Sequence, residues 1–156
     1  MGWTTINHTC GHETREQLYG KMADRDRKAS AMGQSPCLTC RAEAGRAAGL
    51  TGTDKQIAWA HDVMTGVMGS LTVDDVASGA EQAARAVAAE RGPEAARKIA
   101  AKAMTGYGDD PAEAMLAAGS SILEAITDAS WWIEHRHDAG VEAGRMIVAQ
   151  AASTTE

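Results

Sequence analysis

Residues 72–93 read TVDDVASGAEQAARAVAAERGP, and the fold class turns on this stretch. Thr72 is a good helix cap, and Asp74 and Asp75 fall in the first turn, where the helix dipole favours negative charge. The Ala-rich run that follows favours helix as far as Arg91. Gly92-Pro93 then breaks it, and Pro93 suits the first turn of a second helix running to about residue 104.

The same grammar extends on both sides. Thr53-Asp54-Lys55-Gln56 has the form of a capping box, and Ile57, Ala60, Met64, Val67 and Met68 follow at helical spacing until Gly69-Ser70. Residues 106–111 (GYGDDP) read as a loop, and residues 111–126, 129–135 and 138–152 as helices. From residue 51 onward the pattern predicts a bundle of five or six helices. Composition agrees: 44% of residues are apolar, yet only 4% are aromatic and Phe is absent. Such helices pack closely through Ala and Gly, with Gly140 and Gly144 on one contact face. Trp59, Trp131 and Trp132 are then expected to give the core its bulk, Trp59 meeting one of the pair while the other is a candidate interface residue. Gly/Ala faces of this kind also suit a homodimer. No apolar run is long enough to cross a membrane, and the first residues lack a signal-peptide pattern, so a cytoplasmic protein without a membrane partner is expected.

Charge divides the chain. Residues 1–50 carry seven basic side chains (Arg15, Lys21, Arg25, Arg27, Lys28, Arg41, Arg46) against five acids, a net of +2. The whole chain is −6, so residues 51–156 hold −8. All three cysteines lie in the first segment. The reading is a zinc-binding module over residues 1–50 and an acidic helical bundle over 51–156.

Three thiols cannot pair off as disulfides, and short cysteine spacings in a reducing compartment point to a metal. Cys37-x-x-Cys40 is half of a zinc site, and the run His8-Thr-Cys10-Gly-His12 supplies the rest. If that run is extended, His8, Cys10 and His12 face one side. Cys10, His12, Cys37 and Cys40 make a tetrahedral set for structural Zn²⁺, with His8 the competing imidazole. Gly11 sits between two of these ligands, where a tight turn wants a residue without a Cβ. A segment this short has too few apolar residues for a core, so metal binding would contribute its folding energy. Residues 21–32 read as a short helix between the ligand pairs, and the run after Cys40 as another, ending at Gly49 or Gly52. The fold class is therefore mainly α: a zinc-ribbon-like β-hairpin and helix joined to an Ala/Gly-rich bundle.

Pro36-Cys37-Leu38-Thr39-Cys40 also matches half of the zinc-deaminase signature. The other half fails, because Glu13 directly follows His12 and a fourth protein ligand would close the position that water needs. His135-Arg136-His137-Asp138 reads as a charged helix end, since adjacent helical positions do not converge on one ion. No phosphate loop, HExxH or nucleophile elbow is present, and no catalytic residues are assigned.

His8-Thr-Cys-Gly-His12, Leu18-Tyr-Gly-Lys21, Arg25-Asp-Arg-Lys28 and Cys37-x-x-Cys40 together resemble short zinc-binding proteins of bacterial phages and integrative mobile elements. The likeness continues through residues 51–60 and 130–133, covers roughly residues 3–65 and 128–136, and leaves the middle of the chain outside it. It implies a mobile-element origin and zinc binding through Cys10, His12, Cys37 and Cys40, without an activity. The expected function is a zinc-stabilised, non-enzymatic protein acting on a host protein or nucleoprotein, one form of which is inhibition of a host defence nuclease. The alternative is a DNA- or RNA-binding regulator whose seven basic N-terminal residues contact phosphate.

Overall fold

A computed structural model describes residues 2–154. It comprises the strands β1 (Gly2–Asn7) and β2 (Glu13–Leu18), followed by helices α1 (Met22–Gly33), α2 (Leu38–Ala47), α3 (Asp54–Ser70), α4 (Val73–Arg91), α5 (Pro93–Ala103), α6 (Pro111–Glu124), α7 (Ala129–Glu134) and α8 (Ala139–Ser153). The fold is thus mainly helical with an N-terminal hairpin. No described helix is long and apolar enough to cross a membrane. The chain forms two compact units, Met1–Asp62 and Val63–Glu156. The division falls inside α3, beyond the boundary at residue 50 suggested by charge. The physical reason is local: α3 opens by packing on α2, so its first half belongs with the cysteine-bearing segment.

In the first unit, β1 and β2 pair antiparallel, with Trp3 opposite Gln17 and Asn7 opposite Glu13. Ile6 is buried, and Gly33 at the end of α1 lies so close to β1 that a Cβ there would be 2.8 Å from the Asn7 carbonyl oxygen. Helix α2 ends in a Schellman motif: Leu50 N–H donates to the Gly45 carbonyl, Gly49 N–H donates to that of Arg46, and Gly49 has φ 87°. The motif turns Leu50 inward, where it is buried. Gly45 then receives α3, since a Cβ there would meet Ile57 Cγ2 at 2.5 Å. Thr53 and Gln56 form the reciprocal cap expected of them: Gln56 N–H donates to Thr53 Oγ1, and Thr53 N–H to Gln56 Oε1.

The second unit is built on the crossing of α4 and α8. A Cβ on Gly79 would stand 1.7 Å from the Val141 carbonyl oxygen, and one on Gly144 would stand 1.9 Å from that of Val76. The two backbones therefore touch. Gly140 packs on Asp75 and Leu71, and Gly119 of α6 packs on Val76. Around this crossing Val76, Ile99, Leu123, Trp132, Ile147 and Val148 are buried. The capping box of Thr72 with Asp75 is present in full, and Asp110 caps α6 through the amides of Ala112 and Glu113.

The tryptophans divide. Trp132 is fully buried and its Nε1–H donates to the Ile126 carbonyl, while Trp131 is half-buried and stands edge-on to it. Trp59 is 50% exposed, contrary to a role as core filler. The buried side of α3 is taken by Ile57, Ala58 and Ala60, with Ile57 seated on Gly45, and the indole between them points outward.

Candidate metal centre

The hairpin and the start of α2 bring four side chains together. Between β1 and β2 the chain turns through residues 8–12, with Gly11 at φ 80°. The run His8-Thr-Cys-Gly-His12 is therefore a turn and not the extended segment that its alternation suggested. The His8 N–H donates to the His12 carbonyl and Gly11 N–H to that of His8, so the turn satisfies its own backbone. It aims Cys10 and His12 in one direction. Cys37 precedes the first residue of α2 and Cys40 lies one helical step inside it, so a Cys-x-x-Cys spacing places both sulfurs at the same helix end.

The donor atoms of Cys10, His12, Cys37 and Cys40 all lie within 4.8 Å of one another. His12 Nδ1 is 3.2 Å from Cys40 Sγ and 3.7 Å from both Cys10 Sγ and Cys37 Sγ. A tetrahedral ion with sulfur bonds of ~2.3 Å and nitrogen bonds of ~2.05 Å has edges of about 3.5–3.8 Å. The cluster fits such an ion, and the four residues could hold a metal with no position left over. Among the described residues no other His, Cys, Asp or Glu cluster has this form.

The electrostatics carry the same message. Cys37 N–H donates to Cys10 Sγ at 3.3 Å, and this bond leads in pulling the Cys10 thiol down to about 6. The Cys40 amide leads in lowering Cys37. The bond with Cys37 and burial push Cys40 up to about 12, and the Cys37 and Cys10 sulfurs raise His12. Cys10 and Cys37 are thus shifted toward the thiolate while Cys40 and His12 hold their protons more tightly, because three anionic sulfurs cannot share one small space unaided. A divalent cation is the species that would replace those protons.

His8, the competing imidazole, is not in the cluster. Its Nδ1 lies 3.0 Å from the Ser35 carbonyl oxygen and its Nε2 lies 2.8 Å from Thr14 Oγ1. It ties the turn to the segment that precedes Cys37. Nothing in the composition of the HTCGH run distinguishes the two imidazoles; only the turn does.

The basic residues proposed for phosphate contact are scattered in their roles. Arg27 pairs with Asp24, Arg41 with Asp62 and Arg46 with Asp54. The Arg25 side chain lies against Gly2, Lys28 Nζ donates to the Tyr19 carbonyl, and the Arg15 guanidinium stands 5.8 Å from the centre of the Trp3 ring. Lys21 precedes α1 as its N-terminal cap residue. In the second unit, His135 Nδ1 lies 3.2 Å from Asp138 Oδ1 and its ring packs against Trp131 with centres 4.6 Å apart.

Sequence reasoning missed one surface. Trp3, Tyr19 and Met22 are 62%, 60% and 69% exposed. The signal was available in the alternation of Arg15 and Gln17 along β2, which the hairpin sets opposite Thr5 and Trp3. Comparison with protein-family models, with curated proteins and with solved structures gave no match.

Proposed function

We propose that the chain is a zinc-stabilised, non-enzymatic binding protein of the phage and mobile-element type, acting on a host protein or nucleoprotein. The closed Cys10–His12–Cys37–Cys40 set carries this reading. Three sulfurs and one imidazole in tetrahedral spacing suit zinc above the oxygen-seeking cations, and a filled coordination shell leaves no place for a reacting water. The ion's work is then to hold the hairpin to α2. Exposed apolar residues support a binding role: among the described residues the large ones Trp3, Tyr19, Met22, Met32, Leu38 and Trp59 belong to the first unit and Tyr107 to the other. Trp and Tyr in such positions are common anchors for partners.

Elemental analysis of the purified chain should give one zinc per chain, and the metal-loaded chain should capture a stoichiometric partner from host lysate. Absence of zinc, or loading without any partner, overturns the corresponding half of the reading. The alternative, a phosphate-contacting stripe of all seven basic residues, is weakened by the ion pairs of Arg27, Arg41 and Arg46, which would have to be given up on binding.

A further inference from the structure

One face of the hairpin is covered by α1 and carries Ile6. The other carries the odd-numbered residues, with Trp3 opposite Gln17 toward its open end and Thr5 opposite Arg15 at its middle. Arg15 and Tyr19 flank Gln17 on the same face. The Arg15 guanidinium lies over the Trp3 ring, and the Tyr19 hydroxyl donates to Gln17 Oε1 at 3.4 Å. Lys28, on α1, brings its ammonium to the Tyr19 carbonyl at 3.2 Å, beside the end of β2. The one acid on it, Glu13, is at the far end beside the turn, opposite Asn7.

Trp3 is 62% exposed and Tyr19 60%, and the hydrogen bond from the Tyr19 hydroxyl to Gln17 ties the second ring to the residue opposite the first. We propose that this face binds single-stranded nucleic acid, with Trp3 and Tyr19 stacking on two bases and Arg15 and Lys28 meeting the phosphates. Two exposed rings flanked by two cations form a platform that an unpaired base, with its π-face uncovered, can occupy. A duplex keeps those faces buried in its own stack. The inference rests on the proposed binding role through its nucleoprotein partner and requires none of the ion-paired Arg27, Arg41 and Arg46.

The test is fluorescence anisotropy of labelled oligo(dT) and oligo(rU), and of a duplex of equal length, with the zinc-loaded full chain. Single strands should bind more tightly than duplex, with a log–log salt slope of about −1.4 for two phosphates. Trp3→Ala and Tyr19→Ala should each weaken binding by about five-fold or more. Trp3→Phe should retain most of it, and Tyr107→Ala, which removes an exposed ring of the second unit, should leave it unchanged. No binding of single strands, duplex binding of equal strength, or binding indifferent to Trp3 and Tyr19 overturns the inference. Zinc content measured on the unsubstituted chain and on every variant separates this failure from failure of the zinc-stabilised reading: an unsubstituted chain that holds one zinc yet binds no oligonucleotide sinks only the nucleic-acid assignment, and in that case partner capture abolished by Trp3→Ala assigns the face to a protein.

Discussion

His8 and His12 lie in one turn yet do different work. His12 faces the sulfurs, whereas His8 spans from Thr14 to the Ser35 carbonyl. His12→Ala should leave a three-sulfur site with much weaker metal affinity, while His8→Ala should keep full metal stoichiometry; competition against a chromogenic chelator distinguishes them. Asp128 offers a second residue-level test. Its Oδ1 accepts from Ser130 N–H at 2.9 Å and Ser130 Oγ–H at 2.6 Å, and these bonds hold its carboxyl below the ordinary value. Because the folded value is lowered, its contribution is complete above the carboxyl's ordinary range and lost as pH falls through the folded value. Asp128→Ala should therefore lower the melting temperature at neutral pH and flatten its decline in acid, and thermal melts across pH would reveal an unchanged decline if the cap were idle.

At the scale of elements, glycines with the same letter in the sequence have opposite meanings. Gly79 and Gly144 hold α4 and α8 in backbone contact, while Gly66 in α3 has nothing within 4 Å of the position a Cβ would take. Gly79→Ala or Gly144→Ala should cost about 3 kcal/mol or more through overpacking. Gly66→Ala should stabilise by about 0.5–1 kcal/mol, since it replaces the poorest interior helix former after proline with the best. Urea denaturation checks both signs. The helices themselves were legible because their ends are written locally: Thr53 with Gln56, Thr72 with Asp75, Gly92-Pro93 and Asp110-Pro111 act within one turn. The turn at residues 8–12 was not, since alternating His, Cys and His suits a strand as well as a knuckle. Trp59 misled for a similar reason. Its size argued for the core, but the choice of inward residue on α3 is made by Gly45 on another helix.

For the whole molecule, stability is divided as charge is. The first unit buries few large apolar side chains, chiefly Ile6, Leu50 and Ile57, whereas the second buries Val76, Ile99, Ile122, Leu123, Trp132, Ile147 and Val148. Metal removal should therefore unfold the first unit and spare the second. Chelation should erase protection from hydrogen exchange in the hairpin, α1 and α2 while α4, α6 and α8 remain protected. Uniform loss across both would contradict two separately stabilised units. The clustering of Cys10, His12, Cys37 and Cys40 was readable from residue types and spacing, because metal chemistry restricts donors severely. The exposed hairpin face was not, because aromatic residues in a sequence do not declare whether they face inward.

The crossing of α4 and α8 has one more consequence. At Gly79 the hydrogen that stands in place of a Cβ points at the Val141 carbonyl, and at Gly144 its counterpart points at the Val76 carbonyl. Each helix thus offers a polarised C–H to an acceptor of the other, contacts worth about 0.5–1 kcal/mol apiece. Oily side chains tolerate sliding, but these two reciprocal contacts are met together at a single axial setting. The crossing works as a vernier, fixing how far one helix lies along the other in a core otherwise built from small, forgiving side chains.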